Sequence, residues 1–492
     1  MVHVFCEHLS PVDESACHPN PESLRQVERN PFNAGATIWR TTAVQCNSLA
    51  ITRLLTIRND LAALRARVLS VGMNDHSSKT VQRLKGGEES TSVRPDRRSF
   101  LQGAGLLLAS GLGEWARSES ALPSMPLFKI EHVSSHVYAA IALTTPVVNG
   151  NSAIIVTKKG LVIVDSQSWP SGARSLYNQF KREVAALPVR YAINTHHHLD
   201  HAHGNEAYAQ LFGTQLDIVS TTFARAALEQ AARWFSGFVQ RRPVPLSQLQ
   251  EVPNQERYYA FVESYIGGLR DSIPTTEAQI PHLLGRERAT AQSRLDGLRS
   301  YFSEMSTFAP ALPNITFDRK LVLHCDDVTV EVRYLGRGHT AGDAVVFIPE
   351  DRVIATGDLV HGLEPLLLEA FPDEWPATLE RLSELDFQVL VPGHGPVQQG
   401  RTILTLFKDY LMELNQLVFE GVSAGKSLPM LQAELLPERF RSLQNRDFGQ
   451  ALQRNRETLL GLPPGQPLEP IVSSAVEQVY YYYAKKQKVL PR

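Results

Sequence analysis

The stretch THHHLDH at 195–201 directly follows an apolar, β-type run, and it is the part of the sequence that says most about the fold. In extended backbone successive side chains alternate faces, so His196 and His198 point the same way and can bind one cation together. Asp200 and His201 follow where the chain turns into a predicted helix, and they can hold a second cation beside the first. Imidazole and carboxylate ligands suit zinc, and they also suit iron and manganese.

Three polar residues further along the chain occupy similar positions after apolar, strand-like runs. His339 lies in GHTAGD at 338–343, Asp358 follows the run that ends at 356, and His394 lies in PGHG. The glycines beside them permit tight turns, and loops at strand ends are where chemistry normally lies. A chance cluster of surface histidines is the alternative interpretation of the first stretch, and these three residues argue against it.

Taken together, these residues resemble the ligand set of the metallo-β-lactamase superfamily, over about 130–400 of the chain. The resemblance implies an α/β fold, an αββα sandwich in which two β-sheets lie between helices and the metals bind at one edge. It implies two metals that Asp358 bridges. It also implies that Asp165, at the end of an early strand, supports the ligands or the structure and does not bind a metal itself. The first site would consist of His196, His198 and His339, and the second of Asp200, His201 and His394.

Two such cations can lower the pKa of a shared water toward about 7 and so supply hydroxide at neutral pH. The resemblance therefore implies a hydrolase for a small molecule with an ester, lactone, thioester or amide (β-lactam-type) bond. Asp200 is the predicted catalytic residue, orienting the hydroxide and accepting its proton. We expect two zinc ions per chain, with iron or manganese as alternatives. An iron-dependent oxygenase of the persulfide type is the alternative activity, and a binding module held by structural metals is the third.

Comparison with subfamilies narrows the substrate only by exclusion. Asp358 stands where one class of zinc β-lactamases carries cysteine, so the ligand set is closer to glyoxalase II-like thioesterases and lactonases. The residues after it, 359–364, lack the Cys-Gly-Arg pattern of glyoxalase II. The PGHG motif does not resemble the corresponding motif of tRNA-processing nucleases. With these subfamilies excluded, the resemblance indicates a hydrolase without a specified substrate.

Composition excludes other classes of protein. The chain has 492 residues, of which 43% are hydrophobic, and a formal net charge of −2. This size allows two to three globular domains, and the near-neutral charge gives no reason to expect a nucleic-acid partner. Four cysteines are too few for a disulfide framework at this length.

The N-terminal region contains RRSFL at 97–101, followed by a short, glycine-rich apolar run. This pattern resembles a twin-arginine signal, which predicts the twin-arginine machinery as a partner and a periplasmic or extracellular location. The run is too short and too glycine-rich to span a bilayer, so we expect no stable membrane span. A surface helix with a chance arginine pair is the alternative. We expect an unstructured or untranslated segment at 1–95, a signal at 96–120, and the metal-binding domain at 121–400.

Two helical regions accompany that domain. A predicted helical insert at about 220–312 carries aromatic residues that either pack it onto the sandwich or form a lid selecting a hydrophobic substrate. The lid candidates are Trp234, Phe235, Tyr258 and Tyr259. A second helical region is predicted for 401–492. His361, just after Asp358, either lines the cleft or is an ordinary loop histidine.

Overall fold

A computed structural model describes residues 126–143, 148–239, 255–362, 364–445, 448–453, 465 and 467–487. The N-terminal segment and the export signal predicted for 1–120 lie outside the described residues.

The first β-sheet is formed by strands that follow one another in chain order across the sheet. These strands are β1 (Phe128–His132), β2 (Val137–Ala142), β3 (Ser152–Thr157), β4 (Gly160–Val164), β5 (Val189–Ile193), β6 (Asp217–Thr221) and β7 (Ile315–Phe317). Strands β1 to β4 pair in antiparallel fashion, whereas β4 to β7 pair in parallel. Every residue of β4 is buried, as expected for a strand covered on both faces.

The second sheet has the order β13-β12-β11-β10-β9-β8. Its strands are β8 (Lys320–His324), β9 (Thr329–Tyr334), β10 (Ala344–Ile348), β11 (Val353–Gly357), β12 (Val389–Pro392) and β13 (Gln398–Gln399). All neighbours are antiparallel except β11 and β12, which run in parallel. The carboxyl ends of β11 and β12 therefore meet at one edge of the sheet.

The helices connect and cover these strands. They are α1 (Pro170–Glu183), α2 (Leu199–Ala202), α3 (Asn205–Phe212), α4 (Thr222–Val239), α5 (Gln255–Gln279), α6 (Gly285–Met305), α7 (Trp375–Ser383), α8 (Thr402–Ser423), α9 (Leu428–Glu434) and α10 (Glu469–Lys486). None of the helices within the described ranges is long and apolar enough to cross a membrane.

Three hydrophobic clusters give the order of the layers. One cluster lies between the two sheets and includes Val162 and Ile193 from the first sheet and Val332 and Val346 from the second. A second cluster packs α1 and the helices α4 to α6 on the outer face of the first sheet. A third packs α7, α8 and α10 on the outer face of the second sheet. The predicted αββα sandwich is therefore confirmed.

The helices α4 to α6 lie between β6 and β7 in the chain, in the region where the sequence predicts an insert. Trp234 and Tyr259 are buried in the cluster on the first sheet, with ring centroids 4.5 Å apart. Phe235 is buried in the same cluster. These three side chains pack the insert onto the sandwich. Tyr258 also contacts the candidate site, as described below.

Candidate metal centre

The seven predicted ligands come together at one edge of the sandwich, although they are spread over nearly two hundred positions. His196 and His198 lie in the loop after β5, which leads into α2. His339 lies in the loop before β10. Asp358 directly follows β11, and His394 follows β12. Asp200 and His201 lie in α2, directly after the first loop, and the other ligands lie in loops next to strands of the two sheets.

The first group of donor atoms consists of three histidines and one carboxylate, all buried. Nε2 of His339 lies 3.0 Å from Nδ1 of His198. The Asp358 Oδ2 atom lies 3.6 Å from the same His339 nitrogen and 4.0 Å from Nε2 of His196. The four donor atoms lie within 4.8 Å of one another, a separation that one cation can span.

The second group contains Asp200, His201 and His394. The Asp200 Oδ2 atom lies 3.5 Å from Nε2 of His201 and 3.3 Å from Nε2 of His394. Asp358 reaches this group as well, because its Oδ1 lies 3.3 Å from His201 and its Oδ2 lies 3.3 Å from His394. A single carboxylate therefore faces both groups.

Gly393 explains how the loop bearing His394 can approach Asp358 so closely. A Cβ atom added at Gly393 would lie 2.0 Å from Asp358 Oδ1 and 2.8 Å from the carbonyl carbon of Gly357. Any larger residue would push the two loops apart. The glycine of the PGHG motif is therefore needed for the contact between these loops.

Hydrogen bonds fix the proton position on the ligand histidines. In each of them the nitrogen facing away from the centre contacts an acceptor, so that nitrogen carries the proton. The contacts are His201 Nδ1 with Asp165 (2.8 Å), His339 Nδ1 with the Leu366 carbonyl (3.1 Å), His394 Nδ1 with the Asn149 carbonyl (2.9 Å), His198 Nε2 with Glu369 (2.6 Å) and His196 Nδ1 with Thr195 Oγ1 (3.1 Å). In the neutral form of each ring, the opposite nitrogen directs its lone pair into the same space.

Those inward atoms fit a bound cation. The lone pairs of His198 and His339 face each other at 3.0 Å with no proton between them, which is repulsive unless a positive charge lies nearby. Nε2 of His196 is buried and has no hydrogen-bond partner among the described residues. Nε2 of His201 and Oδ1 of Asp358 lie 3.3 Å apart, but neither makes a hydrogen bond of acceptable geometry with a described residue. Buried polar atoms without partners are costly, and a metal ion satisfies this donor set.

The electrostatics of the two groups differ. Burial, together with neighbouring histidines, lowers the pKa of His196 well below its ordinary value and that of His339 to about 3. Burial also acts to lower the pKa of His394, but Asp358 and Asp200 outweigh it and raise that pKa to about 10. Asp200 and Asp358 likewise raise the pKa of His201 well above its ordinary value against the effect of burial. The first group therefore presents neutral imidazoles, whereas a cation entering the second group competes with protons on His201 and His394.

Asp165 supports the histidine stretch through hydrogen bonds and is not part of either donor group, as the sequence predicts. It occupies the left-handed region, with φ of 63°, directly after β4. Its carboxylate accepts hydrogen bonds from the backbone N–H and the hydroxyl of Thr195, both at 2.8 Å, and from Nδ1 of His201. This one carboxylate orients His201 directly and His196 through Thr195.

Glu369 plays a similar part for His198, and sequence reasoning missed it. It is a buried residue in the loop before α7, and its Oε1 accepts hydrogen bonds from Nε2 of His198 (2.6 Å) and contacts Nε2 of His197 (3.0 Å). Burial raises its pKa, but His197 and His198 outweigh this and hold the pKa far below its ordinary value. Glu369 is therefore an ionised acceptor that leaves Nδ1 of His198 free for a metal.

We expect Glu369→Gln to weaken metal binding by about 10- to 100-fold, because the amide removes the anion that orients His198. Competition with a chromophoric chelator measures this change directly. Glu380→Gln is the matched control, since the Glu380 side chain is 60% exposed and pairs with Lys408 on the surface. Equal metal affinity in Glu369→Gln and the wild-type protein would contradict the role given to Glu369.

Tyr258, from α5 of the insert, packs on one face of the His198 ring. The two rings stack with centroids 4.1 Å apart and an angle of 11°. Next to it on the same helix, Phe261 is 47% exposed and stacks on Tyr265. One helix of the insert therefore touches a predicted metal ligand and presents an aromatic side chain to solvent nearby.

A family model described as the metallo-beta-lactamase superfamily matches residues 145–394, which is half of the chain and contains all seven predicted ligands. The chain belongs to the metallo-β-lactamase superfamily. The match ends at His394, so α8 to α10 lie beyond the part of the chain that the superfamily model covers.

Curated members of this superfamily resemble a short part of the chain. A metallo-beta-lactamase type 2 of Bacillus sp. (strain 170) is 35% identical over 84 residues, which are 16% of this chain and 33% of the relative. A metallo-beta-lactamase type 2 of Bacillus cereus is 32% identical over 87 residues, 16% of this chain and 34% of the relative. The chain thus spans about a third of the length of these curated relatives. A solved metallo-beta-lactamase from Pontibacter korlensis is 19% identical, with a TM-score of 0.37, covering 58% of this chain and 99% of that one.

Proposed function

We propose that this protein is a hydrolase that uses two divalent cations, zinc in the first instance, to cleave an ester, lactone, thioester or amide bond. The observation that supports this proposal best is the pair of donor groups that share Asp358. His196, His198 and His339 would hold one cation, and Asp200, His201 and His394 the other. When bound, such a pair of cations lowers the pKa of a water molecule and polarises the oxygen of the scissile group.

Asp200 is the side chain of this set best placed to meet a substrate. Its side chain is 15% exposed, whereas Asp358 and the ligand histidines are almost fully buried. Burial raises the pKa of Asp200, but His201 and His394 outweigh it and hold the pKa well below its ordinary value. Asp200 is therefore ionised at neutral pH and can accept a hydrogen bond from the attacking water, which orients it.

The aromatic residues of the insert favour a substrate that has an apolar group. Tyr265 stacks with the half-exposed Phe261, and Tyr258 covers His198. An aromatic or long acyl chain next to the scissile bond would find apolar surface here.

We expect the zinc-loaded protein to hydrolyse at least one member of a panel of chromogenic esters, lactones, thioesters, β-lactams and phosphodiesters, with faster turnover of aromatic than of acetyl esters. Asp200→Ala should lower kcat/KM by about 100-fold or more, because the attacking water loses its orienting acceptor. Initial rates on the whole panel measure both effects. Asp217→Ala is the control, since Asp217 lies at the start of β6 and pairs with Asn314 away from the site.

Metal analysis of the same preparation separates the alternative activity from the hydrolase. A single iron per chain, together with oxygen consumption and no hydrolysis of the panel, would favour the persulfide-type dioxygenase and contradict the proposal. Two zinc ions with turnover of one substrate class would support the hydrolase.

We further propose that the protein is exported through the twin-arginine route. The RRSFL pattern at 97–101 supports this proposal. Replacing Arg97 and Arg98 by lysine should block export, which fractionation of cells that express the protein would measure. Equal export of both proteins would contradict it.

A further inference from the structure

His361 lies at the metal centre although it is not one of the seven predicted ligands. It follows the short turn Asp358–Val360 and is only 7% exposed. Its Nε2 lies 3.0 Å from Oδ2 of Asp358, and its ring stacks on that of His394 with centroids 4.5 Å apart. Its side chain therefore faces the centre from the Asp358 side.

The backbone holds His361 in this place. The N–H of Gly362 donates a hydrogen bond to the carbonyl oxygen of His394, at 3.1 Å. A Cβ atom added at Gly362 would lie 2.3 Å from that oxygen, so a larger residue could not approach as closely. On the opposite loop, a Cβ added at Gly395 would lie 3.2 Å from the Gly362 carbonyl oxygen. This contact between two glycines fixes the loop of His361 against the loop of His394.

The donor atoms of Asp358, His361 and His394 are all buried and lie within 4.8 Å of one another, as in the other two groups of the centre. Nδ1 of His361 has no hydrogen-bond partner among the described residues. In the tautomer that carries its proton on Nδ1, Nε2 offers its lone pair toward Asp358 and His394. One carboxylate oxygen and two imidazole nitrogens at this spacing form a set that a divalent cation accepts.

We propose that His361 is a further protein ligand of the cation that Asp358 and His394 share. The inference rests on the proposed function, because it assumes the metal centre described there. His361 then completes a group with Asp358 and His394, next to the group of Asp200, His201 and His394, and His394 belongs to both.

Cobalt(II) binding to the full chain tests the proposal, because it measures the metal and not the reaction. His361→Phe should weaken the binding of one cobalt ion by about 10- to 100-fold, leave the other unchanged and alter the d–d absorption of the weakened site. His361→Gln keeps a side-chain N–H that can reach Asp358 but lacks the imidazole nitrogen, so we expect the same loss. Normal binding of both cobalt ions by His361→Gln would show a hydrogen-bonding role and overturn the proposal.

His203→Phe is the matched control. His203 is a buried histidine near the centre, but its ring packs between Phe235 and Phe308. It belongs to none of the groups of described residues that could hold a metal. Its replacement should leave both cobalt affinities unchanged. Unchanged cobalt binding by folded His361→Phe would also overturn the proposal. If the substrate panel shows no hydrolysis while His361→Phe loses one cobalt ion, the proposed function fails and the ligand assignment stands.

Discussion

Replacing Asp358 with alanine is expected to remove at least one cation per chain and to lower kcat/KM by about three orders of magnitude, or roughly 4 kcal/mol of transition-state stabilisation. The reason is that Asp358 is the carboxylate common to both donor groups, with contacts of 3.0 to 3.6 Å to His361, His201, His394 and His339. Its loss removes the only carboxylate of the first group and leaves Asp200 as the only carboxylate of the second group. Elemental analysis of the dialysed protein and initial rates on the best panel substrate measure the two effects.

Two further variants complete this experiment. Asp358→Asn keeps the shape and removes the charge, so we expect it to lose the cation nearly as completely as alanine does. Asp386→Ala removes a carboxylate that is 75% exposed and paired with Arg352 at the surface, so metal content and rate should not change. Full metal content and activity in Asp358→Ala would refute the shared role of this residue.

Replacing Trp375 with alanine is expected to lower the free energy of unfolding by about 3–5 kcal/mol. The Trp375 ring is fully buried at the start of α7, packs on Phe407 with centroids 5.6 Å apart, and donates Nε1–H to the Leu359 carbonyl at 3.0 Å. The centroid of the same ring lies 5.8 Å from that of His339. The cavity left by the missing ring would therefore also let this predicted metal ligand move. Urea denaturation in the presence of a chelator measures the packing effect apart from metal binding.

Trp375→Phe should be intermediate, because it keeps most of the buried ring but leaves the Leu359 carbonyl without its donor, at a cost of about 1–3 kcal/mol. Leu284→Ala is the control, since Leu284 is 80% exposed and its loss should change stability by less than about 0.5 kcal/mol. An alanine variant of Trp375 as stable as the wild-type protein would contradict the packing described here.

The sequence predicts the fold and the seven side chains that meet at the centre because the information is local. The histidine stretch, Asp358 and His394 each follow an apolar strand, whereas His339 precedes one. A glycine stands beside His339, Asp358 and His394, as in PGHG. Strand ends at one edge of packed sheets converge, so a pattern read along the chain becomes a site in space.

The surroundings of the centre could not be predicted in the same way. Glu369 lies 171 positions from His198, in a loop without periodicity, and only the folded chain shows their hydrogen bond. Tyr258 is one of several aromatic residues of the insert, and nothing in its sequence neighbourhood distinguishes it from Tyr259, which packs in the core. His361 stays ambiguous from sequence for the same reason, because the contact of Gly362 with His394 decides its position.

The predicted ligands come from both sheets, since β5 belongs to the first sheet and β11 and β12 to the second. Neither half of the sandwich alone can therefore complete the centre. A cation that binds only the assembled sandwich stabilises it by mass action, by about 2.7 kcal/mol at a hundred times the dissociation constant. The supply of metal in its surroundings thus becomes one of the factors that set how much of this protein is folded.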